Sequence, residues 1–173
     1  MTTKRTDPIS NEVFEDIHDL ALNGKGPIYG APMIYNPNAW KSAPKINLSW
    51  TAIDFPPDKK SDVPKKPGVY IFVVMPDIFS FPEVSGLLYI GKTTSLYERI
   101  GAYLSEINSR FNSTKRPAVW RMLNVWHGHL RYFYTITPTE AAAKALEDQM
   151  LALLKPPFNK TLPATINKKM SAF

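Results

Sequence analysis

The expected fold class follows from two segments, GVYIFVV at residues 68–74 and GLLYIGKTTSLYERI at residues 86–100. The first is a β-branched and aromatic run bounded by Pro67 and Pro76, and it predicts a strand. The second predicts another strand over residues 86–91. Residues 75–85 between them contain two prolines and are too many for a tight turn, so we expect a long hairpin loop.

Helices are expected after the second strand. Thr94 or Ser95 can cap a helix whose apolar residues recur at helical spacing. These apolar residues are Leu96, Ile100, Tyr103, Leu104 and Ile107. Pro117 is expected to open a further helix, because proline is favoured at the first helical position.

The last third of the chain predicts a third strand over residues 130–136 and a long final helix ending near Leu154. Thr137 and Glu140 form a capping box, with Pro138 at the first helical position. The order of elements predicts an α/β fold, with a small antiparallel or mixed three-stranded sheet flanked by helices.

Residues 1–66 have a different character. Residues 7–24 predict a short helix, and the following part up to Pro67 is rich in proline and aromatic residues. So many aromatic residues argue against a disordered linker. We therefore expect an N-terminal helix and an irregular arm over residues 1–66, lying against DNA or a second subunit, and a compact domain over residues 67–173.

Composition narrows the class of protein. The chain has 173 residues, a length typical of one domain with an extension. It has no cysteine and three histidines, which excludes disulfides and thiolate metal sites and leaves oxygen ligands for any metal. No signal-peptide pattern or run of about eighteen apolar residues is present, so we expect a cytoplasmic protein without a membrane partner.

The net charge of +6 is concentrated in the second part of the chain. Residues 1–66 carry nine Lys or Arg against eight Asp or Glu, whereas residues 67–173 carry twelve against seven. Such an excess suits a phosphate backbone. Lys115, Arg116 and Arg121 are candidate nucleic-acid contacts, with ordinary solvated surface charge as the equal alternative.

The spacing of a few residues carries a family resemblance. Gly68-Val69-Tyr70 and Tyr89-Ile90-Gly91 are followed by Arg99, eight residues after Gly91, and Asn159 follows Glu147 by twelve residues. In this order the residues resemble those of GIY-YIG nucleases over residues 67–160. The resemblance implies the compact α/β fold of that family and phosphodiester hydrolysis. Two departures are valine for isoleucine at Val69 and a hairpin loop longer than usual.

The charged residues suit this chemistry. The guanidinium of Arg99 stays charged and can bind two phosphate oxygens. Glu147 is a candidate ligand for Mg²⁺ or Mn²⁺, since one carboxylate with several waters commonly holds Mg²⁺. The resemblance implies the same single metal on this glutamate, and it implies that Asn159 braces the site.

The resemblance also implies that Tyr70 or Tyr89 takes the proton from the attacking water. We favour Tyr70 as the base and Tyr89 as the residue that orients the water. Because a tyrosine is a poor base near its usual pKa of about 10, we expect Lys92 and Arg99 to lie close and lower that pKa. Tyr103, four residues after Arg99, is expected at the scissile phosphate.

The predicted function is a divalent-metal-dependent endonuclease acting on double-stranded DNA. The site residues are most similar to the excision-repair branch of the family, whereas the length suits a standalone restriction-type enzyme that dimerises to cut both strands. Two alternatives remain at this stage. One is a catalytically inactive nucleic-acid-binding domain of the same fold, and the other is a protein-interaction module that reuses the scaffold.

Overall fold

A computed structural model describes residues 37–41, 43–76, 86–109 and 113–159. The helix predicted at residues 7–24 and most of the predicted hairpin loop lie outside these ranges. The described elements are, in chain order, α1 (Pro37–Lys41), β1 (Thr51–Phe55), a 3₁₀ turn (Lys60–Asp62), β2 (Gly68–Val74), β3 (Gly86–Thr93), α2 (Leu96–Ile107), α3 (Pro117–Val125), β4 (Leu130–Ile136) and α4 (Glu140–Leu153). Not one of these helices is long and apolar enough to cross a membrane.

The strands form one sheet in the order β1-β4-β2-β3, and every neighbouring pair is antiparallel. The prediction of an α/β fold with an antiparallel sheet flanked by helices is confirmed, but the sheet has four strands and not three. The additional strand, β1, lies in the segment that we expected to be irregular. It is short, it is followed by two prolines, and its first two side chains are exposed, so it lacks an alternating pattern.

Long-range contacts hold β1 in place. Phe55 is buried, and its ring meets the ring of Phe72 edge-on at 5.1 Å. Asp54 forms an ion pair with Arg131 of β4, the residue opposite it in the register. A short edge strand of this kind depends on its partner strand for stability, which is why the local sequence did not reveal it.

The helices cover both faces of the sheet. One face carries Tyr70 and Phe72 and packs against α2 and α3, whose buried residues include Ile100, Tyr103 and Leu123. The other face packs against α4 in a smaller cluster of Val69, Ile90, Ala143 and Leu151. The tyrosine of the first motif and the glutamate of α4 therefore start from opposite faces of the sheet.

The helix caps refine the predicted boundaries. Ser95 caps α2 as one of the two candidates, because its hydroxyl accepts a hydrogen bond from the backbone N–H of Glu98. The predicted capping box of α4 is wrong by two residues: Thr139 is the cap and the helix begins at Glu140. Thr137 still belongs to the extended chain, since its N–H donates to the carbonyl of Pro67.

Candidate active site

Three tyrosine rings form a stacked column on the sheet face that α2 and α3 cover. The ring centroid of Tyr70 is 5.5 Å from that of Tyr132 and 6.2 Å from that of Tyr89, with interplanar angles of 21° and 26°. Phe72 lies opposite both Tyr89 and Tyr132 in the strand register. Tyr70, two residues away on β2, is therefore the diagonal neighbour of both rings. Tyr70 and Tyr132 are buried, whereas Tyr89 is half-buried.

A fourth tyrosine reaches this column from α2. The hydroxyl oxygens of Tyr70 and Tyr103 are 2.9 Å apart and share a hydrogen bond, and the two rings meet at 5.8 Å. Tyr103 is buried because it lies on the apolar face of α2 with Leu96 and Ile100. The structure thus brings together the two motif tyrosines and the helical tyrosine that the sequence placed in the site.

Burial sets the acidity of this hydrogen-bonded pair. It raises the pKa of Tyr70 well above the ordinary value, and the neighbouring Tyr103 and Tyr89 raise it further. Arg99 acts in the opposite direction but does not outweigh burial. The pKa of Tyr103 is also raised, again chiefly by burial. Arg99 therefore lowers the pKa of Tyr70 as expected, but burial raises that pKa by more, and the net shift is upward.

Arg99 is half-buried on α2, one helical turn before Tyr103. Its guanidinium interacts electrostatically with Tyr70, Tyr103, Tyr89 and Tyr132. Burial acts to lower the pKa of Arg99, but these four tyrosines, Tyr70 foremost, raise it overall. Arg99 consequently keeps its positive charge beside the tyrosine cluster, where it can meet an anionic substrate.

Lys92 does not join the tyrosines. Its ammonium lies 3.2 Å from a carboxylate oxygen of Glu140, at the start of α4. Instead, its backbone N–H takes part in the site by donating to Oε1 of Glu147 over 3.1 Å. The side chain of Lys92 therefore helps to hold α4 against β3, and no contact with a phenol supports the expected role in tyrosine ionisation.

The remaining two predicted residues, Glu147 and Asn159, bind the outer edge of β3. The side-chain amide of Asn159 both accepts from the N–H of Ile90 (2.9 Å) and donates to its carbonyl (2.6 Å). Two residues further along this edge, Glu147 accepts from Lys92. Glu147 and Asn159 therefore satisfy edge groups that would otherwise be free to pair with another chain, and they flank the Gly91 position of the second motif.

Glu147 is held in a way that suits a metal ligand. Partial burial raises the pKa of its carboxyl, and the hydrogen bond from the backbone N–H of Lys92 lowers it by less. Oε1 accepts that bond, whereas Oε2 accepts none from the described part of the chain. In the same ranges, no three His, Cys, Asp or Glu residues cluster as a metal cage. A lone carboxylate fits Mg²⁺, which keeps several of its waters.

Gly91 leaves room for the tyrosine column. A Cβ atom at this position would lie 2.5 Å from Cζ of Tyr70, nearer still to its hydroxyl oxygen, and 2.9 Å from a ring carbon of Tyr89. Because Tyr70 is packed between Tyr132 and Tyr89, its ring has no open space to move into. The glycine of the second motif is thus required by the tyrosine of the first.

We expect Gly91→Ala to lower the free energy of unfolding by about 1–3 kcal/mol, the usual cost of overpacking. Urea unfolding measures this change. Gly86→Ala is the matched control on the same strand, since the described contact of its Cβ is with Val74 at 3.4 Å, an ordinary distance. Equal stability of the two variants would show that the Tyr70 ring does not depend on Gly91.

The three predicted nucleic-acid contacts have different surroundings. Lys115 is exposed just before α3, and Arg121 is exposed on α3 itself. Arg116 is half-buried: its guanidinium lies 3.0 Å from a carboxylate oxygen of Glu106 and above the ring of Tyr103, 5.2 Å from its centroid. Arg116 therefore connects the segment before α3 to the tyrosine cluster, a role that sequence spacing could not indicate.

A cavity of about 220 Å³ opens beside Tyr89. Its walls come from β3, from the segment that leads into α3, from the first turn of α3 and from the residues after α4. They are formed by Tyr89, Lys115, Arg116, Ala118, Val119, Phe158 and Asn159. We call this space the Tyr89 cavity. Tyr89 belongs both to this cavity and to the tyrosine column, so the two are adjacent.

Tyr132 is the member of the column that sequence reasoning missed. Its hydroxyl is buried and has no hydrogen-bond partner among the described residues, and burial raises its pKa strongly. The only available signal was its place in the strand over residues 130–136, in which alternate residues face one side. That signal does not distinguish a residue of the site from an ordinary core residue.

We expect Tyr132→Phe to raise the free energy of unfolding by about 1 kcal/mol, because the change removes a buried hydroxyl that makes no bond and keeps the stacked ring. Thermal or urea unfolding of the purified variant measures this. A loss of stability would mean that another group bonds to the hydroxyl in solution.

The chain is similar to known proteins. A model of the GIY-YIG catalytic domain family matches residues 66–161. UvrABC system protein C of Xanthomonas campestris pv. campestris (strain B100) is 33% identical over 96 residues, which are 56% of this chain and 13% of that protein. The same protein of Synechococcus sp. (strain JA-2-3B'a(2-13)) is 30% identical over 101 residues, or 58% of this chain and 14% of that protein. The match therefore spans a small part of these relatives.

Among solved structures, the chain is similar to the GIY-YIG N-terminal endonuclease domain of UvrC from Thermotoga maritima, a structure with its catalytic magnesium bound. The sequence identity is 23%, the TM-score is 0.42, and the similarity covers 59% of this chain and 97% of that domain. Its point mutant Y29F, also with the divalent cation, gives 22% identity and a TM-score of 0.41.

Proposed function

The chain belongs to the GIY-YIG catalytic domain family, and on that premise we propose that it is an endonuclease that hydrolyses DNA phosphodiester bonds with a divalent metal ion. One observation carries the proposal: Arg99 interacts with the four clustered tyrosines, and Glu147 is held at the edge of β3. A nucleic-acid-binding domain needs positive charge, but it does not need the second carboxylate oxygen of Glu147, which accepts no bond from the described residues and suits a metal ion.

Arg99 is proposed to bind the scissile phosphate. The transition state of phosphodiester hydrolysis carries added negative charge, and a fixed cation in a partly buried site stabilises it more than it stabilises the ground state. Because burial raises the pKa of Tyr70 and of Tyr103, these two hydroxyls stay neutral and do not cancel the charge of Arg99. Arg99 is thus available to the phosphate.

Glu147 is proposed to hold the divalent cation, Mg²⁺ or Mn²⁺. When bound there, such an ion would supply positive charge at the phosphate and at the departing oxygen. The protein contributes the orientation of the carboxylate, since the backbone of Lys92 fixes Oε1, and Oε2 would be available to such an ion. Asn159 supports this arrangement by holding the β3 edge at Ile90.

The tyrosines divide into two roles. Tyr70 is buried and its hydroxyl is already paired with Tyr103, so no water reaches it in this state. Tyr89 is half-buried and lines the Tyr89 cavity. These contacts support Tyr89 as the residue that meets the attacking water, with its ring stacked on Tyr70, which is in turn hydrogen-bonded to Tyr103. This reverses the roles that we favoured from the sequence.

The substrate is proposed to be double-stranded DNA, with exposed Lys115 and Arg121 on its phosphates. Residues 67–173 would form the catalytic domain, and β1 from the preceding segment completes its sheet. A restriction-type role and a homodimer that cuts both strands are the finer parts of this proposal.

The test is nicking of supercoiled plasmid by the purified chain with Mg²⁺ or Mn²⁺, compared with EDTA. We expect metal-dependent cleavage that Arg99→Ala reduces by about a hundredfold or more, as for loss of a group that stabilises transition-state charge. Arg131→Ala is the matched control, since Arg131 pairs with Asp54 at the other side of the sheet. DNA binding without cleavage under all metal conditions would overturn the proposal in favour of an inactive binding domain.

A further inference from the structure

The Tyr89 cavity has two aromatic walls that are already fixed in position. Phe158 is anchored by a hydrogen bond from its N–H to the carbonyl of Leu88 (3.1 Å), and its ring meets Trp126 edge-on at 5.4 Å. Tyr89, which also lines the cavity, is held by stacking on Tyr70. A flat apolar group that enters the cavity therefore finds aromatic surfaces that need no rearrangement.

Most polar side chains of the lining are already engaged. The amide of Asn159 uses both its oxygen and its nitrogen on the backbone of Ile90. The guanidinium of Arg116 is paired with Glu106. Lys115 is the lining residue whose charge has no partner among the described side chains, and the hydroxyl of Tyr89 is assigned to the attacking water by the proposed function. Among the lining side chains that the structure describes, no amide or carboxylate is left to read the edge of a base.

The size of the cavity restricts its ligand. At about 220 Å³ it is smaller than the roughly 300 Å³ at which pockets for drug-sized molecules begin. A planar group of one ring system fits such a space, whereas a base pair does not. Tyr89 lines the cavity and also belongs to the tyrosine column. A group in the cavity is therefore close to the site where the phosphate is expected.

Resting on the proposed function, we propose that the Tyr89 cavity is a subsite for one unstacked nucleobase next to the scissile phosphate, bound regardless of its identity. Stacking between Tyr89 and Phe158 supplies the binding, and Lys115 contacts the neighbouring phosphate. Aromatic stacking accepts every base because every base has a π face. Enzymes that remove a base from the duplex stack compensate for unstacking with this kind of pocket.

The test pairs a variant in which a larger side chain fills the cavity with DNA duplexes that lack one base. Ala118 lines the cavity on α3, so Ala118→Trp fills it. Single-turnover cleavage is measured on duplexes with the mapped cut site and on duplexes in which an abasic site replaces each flanking nucleotide in turn. We expect Ala118→Trp to slow cleavage of the intact duplex about tenfold or more, as for the loss of one stacked base. On the duplex whose abasic site is at the position of the bound base, the variant should cut as fast as the wild type.

Ala152→Trp is the matched control, because Ala152 is exposed on α4. Lys115→Gln is a second variant, which keeps both aromatic walls, Tyr89 and Phe158. We expect it to weaken binding of every sequence equally and to reduce the slope of log affinity against log salt by about one. Replacing the base at the identified position with each of the other three should change the rate by less than about threefold.

Two results would overturn the subsite. One is an Ala118→Trp variant that cuts intact DNA as fast as the wild type, and the other is a slow variant whose defect is the same at every abasic position. Both require a wild-type protein that cleaves. A wild-type protein that does not cleave at all would instead refute the proposed nuclease function, so the two failures are distinguishable.

Discussion

Glu147→Gln is expected to abolish cleavage, with a loss of about a thousandfold or more, and to leave DNA affinity within about twofold. Gln keeps the shape of the side chain and retains an oxygen for the N–H of Lys92, so the β3 edge should remain closed. What disappears is the negative charge that would hold the divalent cation, whose effect on transition-state charge is worth several kcal/mol. Plasmid nicking and a gel-shift titration measure the two quantities.

Asp148→Asn is the matched control for this change. Asp148 follows Glu147 on α4, is exposed, and pairs with Lys144 at 2.7 Å, so it is a carboxylate residue outside the site. Its loss should leave cleavage unchanged within about twofold, as expected for an exposed ion pair. The assignment of the metal to Glu147 would be contradicted if Glu147→Gln cleaved DNA at the wild-type rate, or if both variants lost activity equally.

The fold could be predicted where the signal is local. The strands over residues 68–74 and 130–136 have the bounds expected from their β-branched and aromatic residues. β1 could not be predicted, because TAIDF becomes a strand through its pairing with β4 and the burial of Phe55. The cap of α4 was misplaced for a similar reason, since the hydrogen bond from Thr137 to Pro67 joins residues seventy positions apart.

The site, like the fold, could be predicted from the sequence only in part. The motif spacing brought Tyr70, Tyr89 and Tyr103 to one face, because strand and helix periods decide which side chains share a side. It could not reveal which of these hydroxyls is buried, and burial is what raises the pKa of Tyr70. Nor could it show that Arg116 is held by Glu106, ten residues earlier, since that pair depends on the path of the segment between α2 and α3.

Tyr89→Phe is expected to reduce cleavage by about a hundredfold to ten-thousandfold, the range for loss of a general base. Stability should change by less than about 0.5 kcal/mol, as for a surface substitution, because the half-buried ring still stacks on Tyr70. Tyr70→Phe should give the opposite balance. It leaves the buried hydroxyl of Tyr103 without its partner and should cost about 1–3 kcal/mol of stability, with a cleavage loss of only about tenfold.

The two variants separate the roles because Tyr89 is half-buried, whereas Tyr70 is buried. A base must be reached by water and must lose its proton, and the burial that raises the pKa of Tyr70 opposes both. Tyr97→Phe is the control: Tyr97 is half-buried on α2, and its ring would keep the ammonium of Lys60 above it. Should Tyr70→Phe instead cause the larger loss of cleavage at unchanged stability, Tyr70 is the base, and DNA binding must then open the Tyr70–Tyr103 pair to water.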